Sequence, residues 1–135
     1  MSEFSWPIRV YYEDTDAGGI VFYANYLKYM ERARTEWLRS MGYVQNILME
    51  ELGIVFAVRR TEVDYLMPAR LDDALTVQSR ITHIGGASFS FEQEILRDAD
   101  QQILCRGSIK VVCVSSNEMK PTAIPKAMRE KFKHA

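Results

Sequence analysis

Between Glu13 and Tyr23 the chain reads EDTDAGGIVFY: three carboxylates in four positions, a Gly pair, a short apolar run and an aromatic residue heading a helical pattern. A carboxylate and a glycine hinge placed just before a helix set a fixed negative group beside backbone N–H donors that have no intrahelical partner. Such a junction can hold and polarise a carbonyl. Asp16 is the candidate nucleophile or general base, and the unpaired N–H groups at the helix start are the candidate donors to a carbonyl oxygen. Gly18 and Gly19 would let a substrate approach the backbone, with Ile20, Val21 and Phe22 carrying the chain into the helix. The same residues have a plainer use. Asp in an Asp-x-Gly-Gly run shapes a turn, free helix N–H groups are usually met by water or a cap, and the residues alone leave the two readings even.

Rival chemistries lack their residues. His83 and His134 are the two histidines, and neither falls in the loop or helix, so an acid-base mechanism relying on a His there is missing its residue. No serine stands in a nucleophile-elbow pattern. Glu13, Asp14 and Asp16 are too few ligands for an octahedral oxygen site and no later acidic cluster joins them, so no metal is expected and Asp14 reads as a loop hydrogen-bonder. Cys105 and Cys113 lie eight apart in one β-rich stretch, roughly 26 Å if extended, which excludes a disulfide between them.

The elements that must position this junction follow from periodicity. Tyr23, Leu27, Met30, Ala33, Trp37, Leu38 and Met41 recur at helical spacing, which predicts a helix over 23–41, roughly 28 Å long, stopped by Gly42. A shorter helix is expected over 44–52. Residues 4–12, 54–66, 75–84, 88–97 and 102–115 are rich in β-branched and aromatic residues and read as strands. Gly85-Gly86 and Asp98-Ala99-Asp100 supply turns, and Pro68 with Asp72-Asp73 marks a longer loop. Strand, long helix, then four strands predicts an α+β domain spanning 1–135, with a mostly antiparallel sheet and the helix on one face. One helix cannot cover both faces and edges of five strands, so a homo-oligomer is expected.

The 135 residues, 47% hydrophobic and 26% charged with a net charge of -1, describe one globular domain with no nucleic-acid footprint. The N-terminus lacks a signal-peptide pattern and no apolar run approaches the ~20 residues of a membrane span, so a cytoplasmic address is expected. From Asn117 onward five Lys and Arg stand against two Glu. This segment reads as a solvated tail with a short helix at 126–133, or else as a docking patch for an acidic partner or an anionic membrane surface.

The stretch YYEDTDAGGIVFYANYLKYMERAR, with FAVRRTEVDYLMPARLDDALTV, VVCV and MKPTAIPK further on, resembles the 4-hydroxybenzoyl-CoA-thioesterase-like hotdog family, and within it the Tol-Pal-associated (YbgC-type) acyl-CoA thioesterase branch. The resemblance spans nearly the whole chain. It implies a hotdog fold, a five-stranded antiparallel sheet wrapped around one long central helix, in dimers joined edge to edge with active sites between protomers, and commonly in tetramers. It places the catalytic aspartate on Asp16 and the carbonyl-polarising N–H on Tyr23, implies acyl-CoA as substrate, and implies no cofactor. Two departures stand out. Several relatives have His at the Tyr23 position, which leaves the backbone role and not a side-chain one. The hairpin that meets CoA phosphates in one subgroup reads Gly85-Gly86-Ala87 here, so Arg59 and Arg60 are the alternative phosphate ligands. The rival to catalysis is an interaction module for acyl carrier protein or envelope-biogenesis partners, and a hotdog dehydratase is disfavoured by the missing His.

Overall fold

A computed structural model describes residues 3–135. Five strands, β1 (Phe4–Arg9), β2 (Ile54–Tyr65), β3 (Ala74–Thr82), β4 (Ser88–Arg97) and β5 (Gln102–Ser115), form one antiparallel sheet in the order β1-β3-β4-β5-β2. Alternation assigns the faces. Leu75, Val77 and Ile81 of β3, Phe89, Phe91 and Ile95 of β4, and Cys105, Ile109, Val111 and Cys113 of β5 are buried on the inner face, with Ser79, Gln93 and Gly107 in the same rows, and the alternate residues point to the outer face.

Helix α1 (Asn25–Ser40) lies on the inner face and buries Tyr26, Tyr29, Met30, Ala33 and Trp37, an i, i+3, i+4, i+7 stripe. The stripe is rotated from the expected one: Tyr23 and Leu27 are 62% and 38% exposed. The tyrosines win the inner positions because they bury more apolar surface, and the Tyr26 hydroxyl finds a polar partner in the Ala69 amide. Gly107 of β5 permits the close approach, since a Cβ there would stand 2.9 Å from the Met30 side chain. The helix closes at Gly42 with paired bonds, Gly42 N–H to Arg39 C=O and Tyr43 N–H to Leu38 C=O.

Two short helices extend this layer, α2 (Gln45–Leu52) and α3 (Lys126–Lys133). The second overturns the expectation of a solvated tail. Ile124, Met128 and Phe132 are buried, and the Phe132 ring stacks 4.5 Å from that of Phe89. Lys131 Nζ donates to the Met41 carbonyl at 2.9 Å and lies over the Tyr43 ring, and Arg129 donates to the Gly86 carbonyl at 2.9 Å. The basic residues ride on an amphipathic helix whose other face closes the core, which net charge hides.

β1 is shorter than expected and gives way to a 3-10 turn at Tyr12–Asp14, and β3 ends at Thr82, leaving His83 exposed in the turn before β4. Both cysteines are buried free thiols, and burial pushes Cys105 up to about 12. Among the described residues no helix is long and apolar enough to cross a membrane.

Candidate active site

The loop 15–21 folds back on itself as a tight antiparallel bridge between Thr15 and Val21. Asp16 N–H donates to the Ile20 carbonyl and Gly19 N–H to the Asp16 carbonyl, each at 3.0 Å. Gly18 N–H donates to Asp16 Oδ1 at 2.8 Å. Asp16 therefore does shape a turn, but the turn spends one carboxylate oxygen and leaves Oδ2 without a partner among the described residues, on an exposed side chain. The glycines are required here. A Cβ on Gly18 would meet Asp16 Oδ1 at 3.2 Å, and Gly19 has φ +79, a region that side chains disfavour.

The helix start is nailed down from two sides. Asp14, 5% exposed, accepts Tyr11 N–H at 2.8 Å and Asn25 Nδ2 at 3.0 Å, and its carbonyl accepts Phe22 N–H at 2.9 Å. It is the loop hydrogen-bonder that its place in the sequence suggested. The buried Tyr29 hydroxyl faces the same carboxylate without completing a hydrogen bond, and burial first, then Asp14, raise its pKa. From the other side comes the crossover between β2 and β3. Val21 N–H donates to the Ala69 carbonyl at 2.9 Å, Ala69 N–H donates to the Tyr26 hydroxyl at 2.9 Å, and Ile20 bridges Arg70.

These bonds account for the amides of Val21, Phe22 and, through the Phe22 carbonyl, Asn25. The N–H groups of Tyr23 and Ala24 donate to nothing among the described residues. They are the unspent donors at the start of α1, two residues later than the periodicity placed it, because the chain turns through Phe22–Asn25 before the helix proper begins.

Beside them opens an apolar cleft of about 280 Å³ lined by Ile20, Val21, Tyr23, Tyr26 and the segment Tyr65–Pro68. Tyr23 and Tyr26 both pack against the Tyr65 ring, at 5.9 and 5.7 Å between centroids. Burial, the main cause in each case, raises the pKa of the Tyr26 and Tyr65 hydroxyls, so both stay neutral at physiological pH. A larger depression of about 390 Å³ lies on the outer sheet face among charged side chains such as Glu62, Arg80, Glu92 and Arg106. It offers no apolar wall, so the smaller cleft is the better fit to an acyl group.

Of the residues singled out from sequence, Ile20, Val21 and Tyr23 line this cleft, while Asp16, Gly18 and Gly19 form the turn that leads into it. Phe22 packs on the outer side of Tyr23, 4.9 Å between centroids. Arg59 and Arg60 do not join them: they sit on exposed β2, six and five residues before Tyr65, about 17–20 Å away along the strand. Arg60 is paired with Glu62. The Tyr65–Ala69 wall escaped sequence reasoning; its signal was the exposed apolar run YLMPA, too hydrophobic for an ordinary loop.

A profile of the thioesterase-like superfamily matches residues 10–132. The chain belongs to the thioesterase-like superfamily. Among thioesterase-like proteins it is 48% identical over 130 residues to the acyl-CoA thioester hydrolase YbgC of Escherichia coli, covering 96% of each chain. It is 45% identical over 131 residues to the acyl-CoA thioesterase YbgC of Haemophilus influenzae, covering 97% of this chain and 95% of that one. The 1,4-dihydroxy-2-naphthoyl-CoA thioesterase of Synechocystis superposes with a TM-score of 0.91 over 98% of this chain and 96% of the other; at 24% identity this likeness speaks to the fold, the five-stranded hotdog arrangement.

Proposed function

We propose that this protein hydrolyses acyl-CoA thioesters to a free acid and CoA, with Asp16 and the start of α1 as its machinery. The observation that carries the reading is that two unspent N–H donors, at Tyr23 and Ala24, stand beside an apolar cleft lined by Ile20, Val21 and Tyr23, and that the loop leading into Ile20 holds the exposed Asp16 carboxylate with one oxygen uncommitted among the described residues. The thioester carbonyl oxygen accepts from Tyr23 N–H, and the acyl group lies toward Tyr26 and Tyr65. Asp16 either attacks the carbonyl carbon or takes a proton from an attacking water. The C–S bond breaks, CoA leaves as a thiolate, and water supplies the hydroxyl of the acid and the proton of the thiol. A thiolate is a good leaving group, so the lack of a nearby His or other general acid is tolerable.

Two copies complete the cleft. β2 is a sheet edge of 12 residues whose ladder groups face outward, and Val58 and Tyr65 on it are 52% and 45% exposed. Antiparallel pairing of this edge with a second copy about a two-fold axis satisfies the ladder and covers those side chains. The outer face mixes Glu62, Glu92 and Glu94 with Arg80, Arg106 and Lys110, a self-complementary pattern suited to pairing dimers into a tetramer. Acyl-CoA is a cytoplasmic metabolite, which is the compartment we assign. The rival reading, a non-catalytic partner of acyl carrier protein or of envelope-biogenesis proteins, would use the basic outer face of α3, where Lys126, Lys131 and Lys133 are exposed.

The test is a screen of acyl-CoA chain lengths and a benzoyl-type thioester, following release of free thiol. Turnover of at least one member well above the uncatalysed rate supports the reading. No turnover of any refutes it.

A further inference from the structure

One hydroxyl in the wall of the cleft carries a proton that the fold does not use. Tyr26, 4% exposed, accepts the Ala69 N–H at its phenol oxygen at 2.9 Å. That bond takes an oxygen lone pair and leaves the O–H free to turn toward an acceptor. Among the described residues it donates to none. A buried donor left without an acceptor costs free energy, and native folds contain few of them.

Its placement points to a substrate acceptor. Tyr26 lines the cleft together with Ile20, Val21, Tyr23 and Tyr65. A helical side chain leans back toward the helix N-terminus, over the residues three and four positions before its own. For Tyr26 these are Tyr23 and Phe22, at the end of α1 from which the free N–H groups of Tyr23 and Ala24 project. The bonding agrees with this lean: the phenol oxygen meets the Ala69 amide, and the carbonyl of the same residue meets Val21 N–H at 2.9 Å. Burial holds the phenol pKa above its ordinary value, with the Ala69 bond pulling the other way, so the proton stays on at neutral pH. The other buried phenol of α1, Tyr29, faces Asp14 and is not part of the cleft wall.

We propose that Tyr26 is a further catalytic residue, donating its O–H to the thioester carbonyl oxygen beside the N–H groups of Tyr23 and Ala24. This rests on the thioesterase reading above. No proton is transferred. Attack at the carbonyl carbon pushes the C=O electron pair onto oxygen, and the phenol hydrogen bond strengthens against the growing negative charge. It relaxes when that pair reforms the C=O bond and the C–S bond breaks, releasing the thiolate. A hydroxyl that already accepts an amide N–H is polarised toward donation, and a donor in a water-poor apolar wall stabilises an oxyanion more than the same group in water. The two amides belong to the backbone, so the phenol is the member of the set that a substitution can remove.

The experiment uses the full-length protein and the best acyl-CoA from the substrate screen. Tyr26→Phe removes the donor and also leaves the Ala69 N–H unpaired, so Tm should fall. Its kcat should drop by about tenfold or more with KM changed less than about threefold, because the bond is made chiefly in the transition state. A second variant separates donation from anchoring. Tyr26→3-fluorotyrosine, introduced at this position alone, keeps the ring and the acceptor for Ala69 N–H but carries a more acidic O–H. At pH 7 it should turn over faster than wild type, by about twofold or more, since a stronger donor stabilises the oxyanion better. A hydroxyl that only anchors Ala69 predicts no gain, because a more acidic phenol is the weaker acceptor. Turnover of the fluorotyrosine variant equal to or below wild type would overturn the inference whether or not Tyr26→Phe folds. A folded Tyr26→Phe with kcat within about threefold of wild type would overturn it too, and both results leave thioester hydrolysis standing. Hydrolysis of no acyl-CoA by wild type would overturn both readings.

Discussion

Truncating Phe132 to Ala should unfold the protein much more easily than its place near the C-terminus suggests. The ring is 1% exposed and lies 4.5 Å from Phe89, which in turn meets Phe91 and Phe56 edge-on. Phe→Ala at a fully buried site costs about 3–5 kcal/mol through lost transfer energy and the cavity left behind. Met128 beside it and the Lys131 bond to the Met41 carbonyl limit how far α3 can collapse into the gap. For a chain of this size, with about 2.1 cal/mol/K of unfolding entropy per residue, that loss corresponds to a fall of roughly 10–18 °C in Tm. Urea unfolding followed by circular dichroism, with thermal melts at one fixed protein concentration because oligomers melt concentration-dependently, provides the measurement. A solvated tail would give a change within about 0.5 kcal/mol. That result would refute the packing of α3 as a wall of the core.

Gly18→Ala places a Cβ 3.2 Å from Asp16 Oδ1 and should lower turnover severalfold by re-aiming the carboxylate, while the melting temperature moves little; unchanged turnover would show that its orientation is unimportant. Val58→Asp puts a charge on the half-exposed β2 edge and should yield monomers by sedimentation, with turnover falling in step; an intact oligomer would contradict the pairing of this edge. The Cys105 thiol, held near 12 by burial, stays protonated in the folded protein while its unfolded counterpart ionises near 8.5, so folding stability should fall as pH rises from about 8.5 toward 12. Urea midpoints across that range should decline less steeply in Cys105→Ala than in wild type, and identical slopes would count against this assignment.

Much of the architecture is legible because local chemistry and tertiary context agree. The strands at 54–65, 88–97 and 102–115 sit where alternation and turn residues put them, and α2 and α3 begin and end near their Gly and Pro signals. Disagreement arises where packing decides between equivalent local choices. The α1 stripe could run through Tyr23 and Leu27 or through Tyr26 and Tyr29, and the partner waiting at Ala69, far along the chain, favours the second. The strand order is a long-range property: β2 crosses to the far edge before β3 begins, and nothing local encodes that. The same crossover builds the Tyr65–Ala69 wall, so a stretch that reads as a loop holds the helix start in place. The Asp16 turn was open to reading because its glycines and carboxylate act within seven residues. The hydrogen bond from Arg34 to Gln93 was hidden because the two lie 59 residues apart.

The central claim is that Asp16 drives hydrolysis through its free carboxylate oxygen. The most direct measurement is kcat for Asp16→Asn beside wild type on the best acyl-CoA from the substrate screen, with Tm and oligomeric state compared in the same preparations. Asn is nearly isosteric and its side-chain oxygen can still accept from Gly18 N–H, so folding and assembly should be unchanged. Turnover should fall by about a hundredfold or more, the usual worth of a positioned acid-base group. A rate close to wild type in a well-folded variant would contradict the account.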